Sequence, residues 1–321
     1  MQELQDRILG ITGSMEAEPE PLHKGFPLEN SHWFQNNVQI PDARNGYPLA
    51  PAFIPVGRFR IPPAELKEML PQQLVMLKTA GDALDQSSWR EDLAEESGVF
   101  IGIGLDLNTT GFQVRWCLEQ DVPRWYAPSG LPEPAGERIQ AVMDGWSPPL
   151  TANRTMGALG GIVASRVARS FKVGGVGFTV SSELTSGVKA LETAVRMIQN
   201  GDIRQALVGG VDLTTDWRSL HGLGELGIPM ESREPIPVSD GAVCLVLKSS
   251  SQAEADGDTI LAVIDDAGQQ ALRSSPDTGI KTDNQEFPGD AVVGNIGWTG
   301  VTAGLFDVAA AIAGLHHRLL P

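Results

Sequence analysis

Cysteine is scarce in this chain of 321 residues, where Cys117 and Cys244 are the only two. So few in so long a chain exclude a disulfide framework, and no Cys/His spacing of a metal site appears. Cys244 sits in "GAVCLVLK", an apolar run that reads as a buried strand, and behaves there as a small hydrophobe. Cys117 follows "FQVRW", with no activating base nearby. Positive charge is also short: 24 Lys and Arg face 40 Asp and Glu, for a net charge of -16. Such a balance repels phosphate backbones and anionic membranes, and no basic run with interleaved aromatics offsets it. Long hydrophobic runs are missing as well, none approaching the ~18 to 20 apolar residues of a membrane span. The start, "MQELQDRILGITGS", lacks the basic opening and apolar core of a secretion signal. The expectations are therefore cytoplasmic residence, no nucleic acid, no membrane span, no metal and no cofactor. Histidine is sparse too, with His23, His32, His221, His316 and His317 scattered, the last two closing a C-terminal helix where positive charge suits the helix dipole.

What is present is enough apolar material, 41% of residues, to bury a large core in one domain or two joined halves. Residues 1–54 are polar and proline-broken and read as an extended N-terminal segment. After Pro62 and Pro63, Leu70, Leu74, Leu77, Ala80 and Leu84 recur at helical spacing. "SGVFIGIGLDLN" then reads as a strand covered on both faces. Residues 117–152, with Trp125, Tyr126 and Trp146, read as a long excursion with one short helix near 137–143. It lines a cavity mouth, covers a partner interface, or is simply solvated. "MGALGGIVASRVARSF" reads as a small-residue helix. "QALVGGVDL", "GAVCLVLKS" and "ILAVIDDAG" read as strands, and "AVVGNIGWTGVTAGLFDVAAAIAGLHHRLLP" as strand, glycine-rich turn and helix. Strands alternating with helices imply an α/β layered sheet.

One segment carries most of the functional information. "GVGFTVSSELTSGVKALETAVRMIQNGDIRQALVGGV", from Gly175 to Val211, reads as strand, sharp turn, helix and second buried strand. Leu184, Val188, Leu191, Val195 and Ile198 form the expected buried helix face, with Asn200 and Gly201 as its stop. A nucleophile at the turn would face the positive end of that helix, which lowers a thiol's pKa toward reactive thiolate. Leu184 stands there instead, and its side chain has no lone pair, proton or charge. Ser181, Ser182, Thr185 and Ser186 surround Glu183, but a serine nucleophile needs a base. Only distant His221 would have to supply it, so capping and turn hydrogen bonds are the simpler role. "GIGLDLNTTG" lacks a full GxGxxG, and Gly102 and Gly104 read as close strand packing. The same strand–turn–helix device recurs around Trp298, hinting at a duplicated architecture.

"MLPQQLVMLKTAGDAL", "GVFIGIG", "ASRVARSFKVGGVGFTV", "ALVGGV" and "GNIGWTGVTAGLFDVAAAIAGLHHRLLP" fall in the order and spacing of β-ketoacyl synthases, from about residue 55 onward. The chain resembles those thiolase-fold condensing enzymes, with "GLDLNTTGF" and "NRTMGALGGIVASR" similar to the polyunsaturated-fatty-acid and polyketide branches. The resemblance implies a thiolase-like layered α/β/α/β/α architecture, truncated relative to a full ketosynthase. It implies an extended segment over 1–54, a ketosynthase N-terminal-half-like unit over 55–250 and a partial C-terminal-half-like unit over 251–321. The family works with a cysteine and two histidines. Matching its motifs puts Leu184 at the cysteine position and Trp298 at one histidine position, while "DDAGQQALRSSPDTGIKTDNQEFPGD" holds no histidine for the other. On that basis the chain is expected to be no enzyme, without condensation or decarboxylation of its own.

The resemblance also implies a role for the strand before the turn, since in this family it pairs with its twin across a two-fold. The candidate interface is Gly177, Phe178, Thr179, Val180 and Ser181, whose exposed edge would otherwise be an aggregation hazard. The leading expectation is a chain-length-factor-like partner of an active ketosynthase, as heterodimer or homodimer. The alternatives are an acyl-chain or acyl-carrier-protein binding module, with Arg166, Arg169 and Lys172 as a basic patch, and a hydrolase with a displaced serine.

Overall fold

The structure, a computed structural model, describes residues 57–104, 151–216, 237–265 and 297–317, with short pieces at 20–21, 45–49, 54–55, 116–117 and 119–122 and single positions at 124, 128, 138, 141 and 219. In chain order its elements begin with β1 (Glu20–Pro21), β2 (Asn45–Tyr47), α1 (Pro63–Glu68), α2 (Pro71–Leu84) and β3 (Ser97–Ile103). Next come α3 (Ala152–Gly157), α4 (Ile162–Ser170), β4 (Gly177–Val180), α5 (Ser186–Asn200) and β5 (Gln205–Asp212). β6 (Val238–Ser239), β7 (Gly241–Lys248), α6 (Ser250–Asp256) and α7 (Ala303–His317) complete the set.

Period-two side chains on one buried strand dictate the layers. Along β3, Val99 and Ile101 face α2 and α4, packing with Met76, Leu77, Val163 and Val167. Phe100 faces the other way, onto Ala190, Leu191 and Ala194 of α5 and Leu305 and Phe306 of α7. The sheet between these helix layers runs β4-β3-β5-β7. β3 pairs parallel with β4 and β5, and β5 pairs antiparallel with β7. The carboxyl ends of β3 and β5 therefore lie together at one edge. A small second sheet, β1-β2-β6, ties the N-terminal segment to the residues before β7.

Several expectations change in detail. The helical period over 70–84 is real, but Pro71 splits it from α1, because proline lacks an N–H and disfavours helix in the residue before it. The small-residue helix also breaks in two, α3 and α4, around 158–161. α5 starts at Ser186, two residues after Leu184, and its buried face is built chiefly from Gly187, Ala190, Leu191, Ala194 and Val195. Val188 and Ile198 are only half-buried. The strand expected at 260–264 does not form. No strand among the described residues runs beside it, and Ile260, Leu261 and Val263 remain 42%, 48% and 65% exposed. Trp125, Tyr126 and Trp146 lie outside the described residues, as does most of the 137–143 helix.

Candidate functional site

Two turns meet at the carboxyl edge of the sheet, each feeding a 15-residue helix. The first follows β4. Glu183 takes a left-handed conformation, φ 47°, which reverses the chain sharply before α5 and leaves Leu184 half-buried beside the helix start. Hydroxyls hold this bend from within. The Ser182 N–H donates to Ser186 Oγ at 2.9 Å, Ser186 Oγ donates to the Glu183 carbonyl at 2.6 Å, and Thr185 Oγ1 donates to the Ser182 carbonyl at 2.7 Å. Ser182 Oγ and Thr185 Oγ1 share a further bond of 2.9 Å. None of these hydroxyls is hydrogen-bonded to a histidine among the described residues, so the arrangement favours a turn lock over a serine nucleophile. Ser181 is exposed, and His221 lies outside the described residues.

The second turn carries Trp298, half-buried; Thr302 Oγ1 donates to the Thr299 carbonyl within it at 2.8 Å, and further bonds reach it from outside. The Trp298 N–H donates to the Pro237 carbonyl and its carbonyl accepts from the Ser239 N–H, both at 2.8 Å. Gly297 and Gly300, at φ 79° and 59°, supply left-handed conformations that glycine adopts without strain. Asp212, at the end of β5, accepts the Val301 N–H at 3.0 Å through Oδ2 and the Leu213 N–H at 2.9 Å through Oδ1. Thr214 Oγ1 donates to the Ser239 carbonyl at 2.7 Å.

Glycines let the two turns close on each other and on the sheet. A Cβ on Gly102 would stand 2.5 Å from the Gly187 nitrogen, and one on Gly187 would stand 2.9 Å from Leu305 Cγ and 3.0 Å from the Val301 carbonyl. A Cβ on Gly304 would collide with Val188. The first turn of α5 thus packs closely on the Val301 carbonyl, just before α7, and on Leu305 and Gly304 in the first turn of α7, above β3 and β5, where parallel-stranded folds place ligands. Gly102 and Gly104 serve packing, as their sequence context suggested.

β4, the strand expected at an interface, is an edge strand with no further neighbour among the described residues. Gly177, Phe178 and Ser181 are exposed and Thr179 and Val180 half-buried. The Phe178 ring is 40% exposed and packs edge-on against Phe100, centroids 5.2 Å apart. The expected basic patch is largely spoken for: Arg166 pairs with Glu65 and Lys172 with Glu91, each at 2.5 Å, leaving Arg169 exposed without a described partner. Cys244 is partly buried, and desolvation pushes its thiol up to about 12; Cys117 is exposed. Among the described residues no group of three or more His, Cys, Asp or Glu side chains is arranged to hold a metal, and no helix is long and apolar enough to cross a membrane. The segment in which the second histidine was sought, between 264 and 291, falls almost wholly outside the described residues.

Asp212, Thr214 and Gly300 were not singled out from sequence. The available signal was a lone acid ending "ALVGGVD", a strand whose eight residues are all buried.

Comparison with known proteins agrees with this architecture. Residues 55–253 match the family model described as Beta-ketoacyl synthase, N-terminal domain. Erythronolide synthase EryA2 of Saccharopolyspora erythraea is 24% identical over 331 residues, covering 95% of this chain and 8% of the relative. Non-reducing polyketide synthase atr1 of Stereocaulon alpinum is 27% identical over 228 residues, covering 68% of this chain and 8% of the relative. The chain thus spans under a tenth of the length of these relatives. The solved structure titled PfaC Keto synthase-Chain length factor superposes with a TM-score of 0.68 at 18% identity, covering 97% of this chain and 38% of that one. At that identity the likeness shows the fold, which is the thiolase-like ketosynthase fold, here of partial length. One expectation is overturned. The sequence leads to the expectation of no enzyme, but the matched family is one of synthases and the relatives are polyketide synthases. Leu184 states what one side chain lacks and does not by itself exclude an enzyme.

Proposed function

This chain belongs to the β-ketoacyl synthase family, and from that premise we propose that it is a ketosynthase-like part of a polyketide- or polyunsaturated-fatty-acid-type synthase, acting as the chain-length-factor-like half of a paired condensing centre. Within this reading, Leu184 occupies the position of the acyl-carrying cysteine and Trp298 that of one histidine, while the ketosynthase half supplies the thiolate. The observation that carries the reading is the turn itself: a left-handed residue, a hydroxyl lock and a helix N-terminus surround a side chain that cannot hold an acyl group. The edge position of β4 supports pairing through Gly177 to Ser181, since an open strand edge with an exposed phenyl ring is stabilised by a matching strand. The PfaC structure, titled for a ketosynthase and a chain length factor, supports the same reading.

The test is native mass spectrometry of the tagged chain purified from its own host. A one-to-one complex with a cysteine-bearing ketosynthase, lost on Phe178→Lys, is the expected result. A homodimer with no synthase component attached would overturn the pairing.

A further inference from the structure

Asp212 is the last residue of β5, which is buried along its whole length. A carboxylate in that position needs strong donors, because burying an unpaired charge is costly. It finds them in two backbone N–H groups, Leu213 beside it and Val301 from 89 positions downstream. Val301 lies in the 3-10 turn, Gly300–Thr302, that opens α7, so the carboxylate meets the positive end of that helix. Space for it is kept by two glycines. A Cβ on Gly104 would stand 2.7 Å from Asp212 Oδ1, and one on Gly300 would collide with Oδ2. Both oxygens therefore sit in a recess that only glycine leaves open, one wall from the residue that follows β3 and one from the Trp298 turn. Thr214, two residues further on, carries the same connection to the carbonyls of Ser239 and Trp298, at 2.7 and 3.4 Å.

We infer that Asp212 is the positioning residue of this site: by anchoring the first turn of α7 to the end of β5, it sets where Trp298 stands relative to α5 and the Leu184 turn. The inference deepens the proposed reading of the site, and rests on it only in treating the Leu184 and Trp298 turns as functional. Asp212 acts through the backbone of residues 300–302 and touches no reacting group. Loss of its carboxylate releases the Val301 N–H and lets the Trp298 turn shift while the sheet stays intact.

The experiment labels the full chain with 5-fluorotryptophan and assigns the Trp298 fluorine resonance by its loss in Trp298→Phe. Asp212→Ala is expected to shift or split that resonance and leave the other tryptophan signals in place. Hydrogen exchange at Val301 rises about ten-fold while amides of β3 keep their protection. Asp212→Asn, which retains one acceptor oxygen, gives a smaller change of the same kind, and it decides the matter if the alanine variant does not fold. An unmoved Trp298 resonance in a folded variant overturns the inference, as does an equal disturbance of every tryptophan, which marks a merely structural residue. The readout concerns the unpartnered chain, so it is independent of whether a ketosynthase partner is ever found.

Discussion

The Leu184 and Trp298 turns open helices of equal length, yet the second is tied to distant segments in a way the first is not. Around Leu184 the locking groups, Ser182, Thr185 and Ser186, come from the turn itself, so the bend depends on residues no more than four positions apart. Around Trp298 one lock is internal, Thr302 Oγ1 donating to the Thr299 carbonyl at 2.8 Å, and the others come from elsewhere: Asp212 at the end of β5, Thr214 just after it, and Pro237 and Ser239 around β6. A self-locked turn keeps its geometry when its central side chain changes, and accordingly a leucine stands there without disturbing the lock. A scaffold-locked turn stores its geometry in the sheet, and substitutions far away in sequence move it.

The largest break in this comparison comes from Gly300→Ala. The new methyl meets both a left-handed φ of 59° and the Asp212 carboxylate, so the cost is on the order of 3 kcal/mol. Gly201→Ala is the control. Its φ is 77° but nothing lies within 4 Å of a Cβ there, and about 1 kcal/mol is expected. Urea unfolding of the two variants separates conformation from collision, and equal costs would mean that the Asp212 recess contributes nothing.

Leu184→Cys sharpens the other side. If the self-locked turn keeps its direction, the new thiol faces the N-terminus of α5 and becomes acidic. Its pH–rate profile with iodoacetamide should have a midpoint well below the ~8.5 of an unstructured cysteine, with alkylation at pH 7 about ten-fold faster than in a free peptide. A midpoint at the free value would show that the bend no longer aims its central residue at the helix.

The hydroxyl lock itself is weaker per residue. Ser186→Ala and Thr185→Val each remove both bonds of a buried hydroxyl and should cost about 1–2 kcal/mol in chemical denaturation. Because the two act on one bend, the double variant should depart from additivity. Additive costs would mean that each hydroxyl serves only its own end of the turn.

The same contrast explains how much was legible in the sequence. The Leu184 unit is local: alternating strand residues, a small polar bend and a helix stop at Gly201 all sit within 30 residues, and the helix indeed ends in a left-handed Gly201. Its helix boundary was misplaced by two residues because Leu184 continues the apolar spacing without joining the helix. The Trp298 unit is legible as strand, glycine-rich turn and helix, but what ties it to the sheet is not, since no periodicity links Asp212 to Val301, 89 positions on. The failed strand at 260–264 teaches the same lesson in reverse. Its apolar run meets every local criterion of a strand, but a strand also needs a neighbour, which local pattern does not supply.

The smallest expected effect lies on α7, whose only charged residue up to its closing histidines is Asp307. It is half-buried, has no hydrogen-bond or ion partner among the described residues, and desolvation raises its pKa from 3.8 to about 6. The raised value means that the fold disfavours the ionised carboxyl. Well below pH 3.8 the group is neutral in both folded and unfolded states and exerts no effect. As pH rises from 3.8 through 6 the unfolded chain ionises more readily than the folded one, and stability falls to a level that stays constant above that window. Asp307→Asn should remove this pH dependence. Its Tm should exceed the parent's by about 2–4 °C at pH 7.5 and match it near pH ~3, below both values. A gain that persists near pH ~3 would assign the effect to helix propensity or packing. A gain confined to neutral pH would show that the scaffold-held turn feeds a helix already carrying an uncompensated charge, whereas α5 pairs its buried Glu192 with Lys189 and Arg196.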